Sequence, residues 1–362
     1  MRNELKPIAD AIVSGYGRIS TAESRITKRE GASRGSWKAP ALENSWVQSS
    51  GYEAVSYTLD SDGMVHIKGV IQSGASGDPC FTLPEGLRPS HGLHAPCKAN
   101  NGAGYIAVLP SGEVVPQDSG ASSVSTWVTL SGCSFRVSSL YDDSSRVLGV
   151  VSAKCQDYLD TYPEPRSRAH AGGLIYASGF GKLSSAPAST EVTWEIPNDH
   201  CSRFRNIHAL SAFSSVSTSG MARYDSLKNR LIYNSGVNST TLVSMHGACW
   251  PSLALQNSPT YCTLGPGVTA YSDKQFQTGG TIYKDDMGQC WLGGISTVIA
   301  KGYGTTLYNL PAELWPSSKV LVMAINNDIP IALDINTNGT VTLGQACSAG
   351  WISISSTYWI DN

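Results

Sequence analysis
The sequence predicts a mostly β protein: a short N-terminal α-helical coiled coil followed by tandem antiparallel β-sandwich modules, jelly-roll-like, in a trimeric assembly. Three observations predict it. Charged residues make up only 15% of the 362 and glycine contributes 36 of them, whereas an ordinary soluble domain carries about 25% charge. Apolar residues in the first thirty positions fall at heptad spacing. Downstream, an apolar-Pro step recurs at a period of 113 to 114 residues. A chain of this length suits two to four domains.

The first element is the helix. Leu5, Ile12, Ile19 and Ile26 take heptad position a, while Ile8, Gly15 and Ala22 take d. Isoleucine at a with further apolar residues at d suits trimers, although Gly15 is a defect in the seam. Arg18 and Glu23 flank Ile19 and Ala22 at g and e. RISTAE (18–23) thus resembles the Arg-apolar-x-x-apolar-Glu signature of short trimeric coiled coils, in which an inter-chain Arg–Glu pair covers the seam. The expected trimerisation set is Leu5, Ile8, Ile12, Arg18, Ile19, Ala22, Glu23 and Ile26. An amphipathic helix packed on its own chain is the competing reading, because so few heptads are marginal alone. Gly31 ends the helix. Residues 18–38 hold six basic side chains against Glu23 and Glu30, which reads as a solvated face or a dock for an acidic partner.

The repeat sets the rest. FTLPEGLRPS (81–90) and LYNLPAELWPSS (307–318) share one layout, and WEIPNDHCS (194–202) keeps the apolar-Pro step. Pro84 to Pro197 is 113 residues and Pro197 to Pro311 is 114; Pro84 to Gly112 and Pro311 to Gly339 are both 28. DSDGMVHIKGVI (60–71) aligns with KDDMGQCWLGGI (284–295), and TWVTLSGCSFRV (126–137) with AGWISISSTYWI (349–360). A period this long means duplicated domains rather than a solenoid. The expected units are 1–31, a helix joining the chain to a larger particle; 37–138, module one; 139–257, module two with a linker, the weakest copy; and 258–362, module three, expected at the distal tip. Alternation sets Val65 and Ile67 opposite His66 and Lys68, as a strand requires. The proline after Leu83 or Leu310 removes a ladder donor, so it marks a strand end where the chain leaves the sheet.

Module one resembles the C-terminal β-domain of tailed-bacteriophage tail fibres and receptor-binding proteins. Its matching residues are Asp62-Gly63, Gly69, Leu83-Pro84, Gly86, Arg88-Pro89, Gly112-Glu113-Val114, Leu130, Gly132 and Phe135, after the Trp-rich lead WKAPALENSWV (37–47). Module three matches loosely and module two least. The resemblance implies a homotrimer in the virion tail, made in the host bacterial cytoplasm. Its N-terminal part would join other tail or baseplate proteins, and its modules would touch a host surface receptor.

Chemistry is sparse in the sequence. GASRG (31–35) fits the letters GxSxG but reads as a hinge after the helix, and no HExxH, Walker loop or strand-to-helix GxGxxG is present, so neither an enzyme nor a cofactor is expected. His91 and His94 lie three apart in a loop without a third ligand, and no metal site is expected unless His91, His94 or His170 meets its copies on a three-fold axis. Asp60 and Asp62, like Asp285 and Asp286, precede a glycine and read as hairpin-turn residues rather than a hydrolytic pair. Nine dispersed cysteines without a CxxC pair read as reduced, buried thiols. The net charge of −2 gives no footprint for nucleic acid. Neither a signal-peptide core nor a run of about 18 apolar residues is present, so no membrane insertion is expected.

Tyrosine (16) and tryptophan (9) outnumber phenylalanine (6). Such side chains suit saccharide stacking and exposed interfaces. Tyr303, Tyr308, Trp315, Trp351, Tyr358 and Trp359 are the candidate receptor-binding set. The expected function is therefore non-catalytic, multivalent attachment of the virion to a host receptor, expected to be a glycan. The alternatives are a structural spacer or collar of the tail and a polysaccharide-degrading tailspike.

Overall fold
The computed structural model describes residues 34–118 and 123–137, residues 259–360 with breaks at 273–278, 300 and 328, and, between 145 and 252, strands with adjoining turns. The segment 1–31, and with it Leu5, Ile8, Ile12, Arg18, Ile19, Ala22, Glu23 and Ile26, lies outside the described residues. Among the described residues the protein is mostly β, built of antiparallel sheets, and its helical turns are the short 3-10 segments Glu85–Leu87, Asn198–His200 and Ala312–Leu314.

The first unit pairs two sheets. One runs Val47–Gln48, Val70–Gln72, Ser123–Thr129, Leu93–Asn100, Gly102–Val108, Glu113–Gln117, Phe81–Thr82; the other runs Cys133–Arg136, Met64–Lys68, Ser56–Leu59. Val65 and Ile67 of the small sheet meet Leu93, Ile106, Val108 and Val128 of the large one in a single core. The sequence period of two explains the division, since alternate residues face alternate sides.

The second unit, weakest in sequence, has the same strand order. Its large sheet runs Cys155–Asp157, Phe180–Leu183, Leu242–Ser244, Asn206–Phe213, Thr218–Asp225, Arg230–Asn234, Val192–Glu195, with Gly149–Val150 added at the edge. Its small sheet is Ser145–Val147, Arg166–Ala169, Leu174–Ser178, Cys249–Pro251. In the third unit the corresponding strands fuse into one ten-stranded sheet around its core. Gln289–Val298 and Gly350–Trp359 run unbroken there, whereas the first unit breaks at Gly69 and again at residues 130–132. Gly69 carries φ +112°, and a Cβ there would lie 2.6 Å from Val55 Cα. Only glycine fits that kink.

Backbone bonds fix the equivalences. Asp60–Gly63, His170–Gly173 and Asp285–Gly288 close the same turn: each glycine N–H donates to the first residue's carbonyl, at 3.1, 2.8 and 3.3 Å. Asp60 therefore corresponds to His170 and Asp285, one residue away from the alignment that pairs position 60 with Lys284. The Leu-Pro loop is likewise one device. Leu83 N–H donates to Gly112 O and Leu310 N–H to Gly339 O, both at 2.8 Å. The proline then opens a 3-10 turn, closed by Leu87, His200 or Leu314 donating to Pro84, Pro197 or Pro311.

The three units pack around a common line within one chain. Thr129 of the first donates to Leu321 O of the third at 2.9 Å, and Ser244 of the second donates to His94 O of the first at 2.6 Å. Thr129 and Ser244 hold the same strand position, as Ser353 does in the third unit, because each pairs with the residue after the kink glycine: Val70, Phe180 or Ile295. His94 and Leu321 are also equivalent. The third contact follows the same order, with Gly350–Trp359 packed on Asn206–Phe213 of the second unit. Head-to-tail contacts that close a ring of three make an approximate three-fold. The sequence pattern suggests modules in file along an axis; the structure sets them side by side, because Met64, Leu174, Tyr176 and Trp291, from all three units, bury one another in a shared apolar cluster.

Candidate functional site
At the centre of the ring the three equivalent turns meet. His66 Nε2 lies 2.7 Å and His170 Nε2 2.8 Å from the same oxygen, Asp60 Oδ2, while Asp62 Oδ2 is 3.7 Å from His170. Asp60 Oδ1 accepts the N–H groups of Asp62 and Met64, the Asx turn that its position before Gly63 implies. His66 Nδ1 pairs with Ser134 Oγ at 2.9 Å. The next layer is aromatic: the positions equivalent to His66 are Tyr176 and Trp291. Tyr176 OH donates to Gln289 Oε1 at 2.5 Å, and Trp291 Nε1 donates to Cys249 O at 3.0 Å.

Electrostatics follow from burial. Asp60 would be pushed up by burial, but hydrogen bonds from His170 and His66, and their charge, hold it well below the usual carboxylate range. Burial opposes the charged form of His170, yet its bond to Asp60 and the charges of Asp60, Asp62 and Asp285 raise its pKa above the ordinary imidazole value. Asp285 is raised by burial, which His170 and the Gln289 and Met287 N–H groups offset only in part. Its Oδ1 accepts Met287 N–H and Gln289 N–H, while its Oδ2 is buried without a hydrogen-bond partner.

The chain enters this centre at its N-terminal side. Arg34 Nε donates to Met287 O at 3.1 Å, and its guanidinium lies over both Trp37 and Trp359. Residue 34 thus touches the third unit. Position along the chain does not rank the modules by distance from the N-terminal segment, and the expectation of module three as the far tip loses that support.

The aromatic candidates divide by burial. Tyr303 is 69% and Trp315 43% exposed. Tyr308 and Tyr358 lie in the core of the third unit, and Tyr358 OH donates to Leu314 O at 3.0 Å. Trp359, 6% exposed, packs edge-on against Trp37 and His66 at the centre of the ring. These three cannot meet a receptor, because each faces the protein interior. Trp351 is partly buried on Ile295 and Ile325. Trp315 also braces its own loop, since its Nε1 donates to Leu310 O at 2.9 Å, as Arg88 Nε does to Leu83 O at 3.0 Å.

Of the histidines considered for a metal between copies, His91 is exposed and bonded to Ser90 Oγ, whereas His94 and His170 face neighbouring modules of their own chain. Asp62 lies beside His170, and Asp285 is a turn residue as its sequence implied. No sequence signal marked His66, which looked like an ordinary strand residue, or Tyr176. Nor did any mark the cleft between the first two units, where Arg136, Arg166 and Arg168 gather beside His91 and His246. All described cysteines are unpaired as disulfides, and burial raises Cys133 and Cys290 to about 12. No helix among the described residues is long and apolar enough to cross a membrane. Compared with family models, curated proteins and solved structures, the chain finds no match.

Proposed function
We propose that this chain is a bacteriophage tail-fibre-type adhesin that attaches the virion to a host-surface glycan by non-catalytic, multivalent contact. The observation that carries the reading is that five of the six large apolar side chains exposed among the described residues belong to the third unit: Tyr261, Ile299, Tyr303, Trp315 and Ile329 stand 63%, 64%, 69%, 43% and 59% exposed. They stand on a body whose modules are bound to one another by buried hydrogen bonds. Tyrosine offers both a stacking face and a polar tip. Sequence resemblance supports the viral setting, since the residues that carry it, Leu83-Pro84, Arg88 and Gly112, form one hydrogen-bonded lock.

In this reading the N-terminal helices join three chains and connect them to the tail, so each particle presents three such bodies, and avidity multiplies a weak site. The test is saturable binding of the purified full-length chain to host cells. Tyr303→Ala is expected to weaken it about tenfold with an unchanged melting temperature, and light scattering is expected to give three times 38.4 kDa. Absence of binding would leave the spacer role, and release of reducing ends from host polysaccharide would replace adhesion with hydrolysis.

A further inference from the structure
We propose that Asp60, His66 and His170 form a transition-metal site of the zinc class that ties the first two modules together at the centre of the ring. Asp60 Oδ2, His66 Nε2 and His170 Nε2 lie within 4.8 Å of one another, and all three residues are buried. Two imidazoles and a carboxylate are the donor set that borderline divalent ions prefer over calcium or magnesium.

Two further observations point to an occupant. Asp285, 4% exposed, holds its turn with Oδ1 alone and leaves Oδ2 without a partner. That carboxylate shares the buried centre with His170 and His66, outside the group of three ligand atoms. Unpaired buried polar groups are costly and call for an ion or a water. His66 is oriented as a ligand would be, with its other ring nitrogen on Ser134 Oγ at 2.9 Å.

The fit requires little movement. Ligands about 2.0–2.1 Å from a tetrahedral zinc stand about 3.3 Å apart. The two N–O separations, 2.7 and 2.8 Å, must therefore open by about half an ångström. The ligands come from two modules, Asp60 and His66 from the first and His170 from the second, so one ion would staple the two across the centre of the ring. Asp62, 17% exposed at the rim of the cluster, marks the side facing solvent.

The experiment uses the full-length chain. It is unfolded, stripped with chelator and refolded with zinc, cobalt or calcium, because a buried site is loaded during folding. One equivalent of zinc per chain, an intense visible cobalt spectrum of tetrahedral type and a higher melting temperature with zinc but not calcium are expected. His170→Ala removes one ligand nitrogen and leaves the backbone bonds of its turn in place, and it is expected to weaken cobalt binding at least about tenfold while the metal-free protein keeps its fold. A folded, metal-free chain that takes up no zinc and gives no cobalt spectrum overturns the proposal, leaving a salt-bridged cluster. Full cobalt affinity in His170→Ala removes the second module from the site.

Discussion

Asp60 of the first module and His170 of the second hold the same turn position in their hairpins, and they touch, Oδ2 to Nε2, at 2.8 Å. In duplicated modules, like positions around a three-fold come together at the axis, where identical charges would repel. Divergence to Asp, His and Asp turns that repulsion into attraction.

Asp60→Asn tests the strength of that attraction. The amide oxygen can still accept the Asp62 and Met64 N–H groups, so the turn survives, but both charge-assisted bonds to histidine are lost. Breaking a buried ion pair from one side costs about 3–5 kcal/mol. A fall of the thermal midpoint by several degrees, measured in chelator, is expected, larger than that for Asp62→Asn at the rim.

The contact between the first and second modules should fail in acid. Burial lowers His94 to about 4, and burial together with the charge of His94 lowers His246 to about 3. Phe180 lies against both rings, Tyr105 against His94, and Ser244 bonds His246 Nδ1. Both folded values lie below the unfolded value of about 6.5, so the unfolded chain binds more protons between them. Stability is complete above about 6.5 and is lost as pH falls through the folded values, by about 3 kcal/mol for His94 and about 5 kcal/mol for His246. Denaturant titrations from pH 7 to pH 4 should show the slope, and His246→Asn should flatten it.

The hydroxyl cycle is testable one link at a time. Thr129→Val keeps the shape but leaves the buried Leu321 carbonyl without its donor, at a cost of about 1–3 kcal/mol. Ser244→Ala should cost a similar amount at His94 O. Proteolysis between modules, rather than loss of sheet signal by circular dichroism, is the expected readout.

The Leu-Pro lock predicts an exchange. Trp315 and Arg88 make the same bond to a leucine carbonyl, so Trp315→Arg should keep stability within about 1 kcal/mol, whereas Trp315→Leu removes the donor and costs about 1–3 kcal/mol. Gly339→Ala should cost more than either: its Cβ would fall 1.9 Å from Trp315 Nε1, at a φ of +77°. Melting temperatures of the three variants give the order.

The duplicated modules, their turns and the end of a strand at Leu83-Pro84 were legible because each is local. Period, proline and glycine act within a few residues, and the same chemistry recurs wherever the pattern recurs. Even so, the sequence alignment slipped by one residue at Lys284 and Asp285, since only the hydrogen-bonded turn shows which aspartate matches Asp60.

The sequence by itself determined that this is a β protein whose first and third modules are copies, with the middle module left open. The ring, and everything at its centre, was decided by tertiary structure. His66 sits on the strand face that alternation assigns away from its own core, and nothing local says that two other modules cover that face. His170 and Asp60 are 110 residues apart. Tyr308 and Tyr358 suited core, interface or receptor contact alike in the sequence, and the closing of one continuous sheet buried them. Burial is a property of what packs against a residue, and that partner lies far away in the chain.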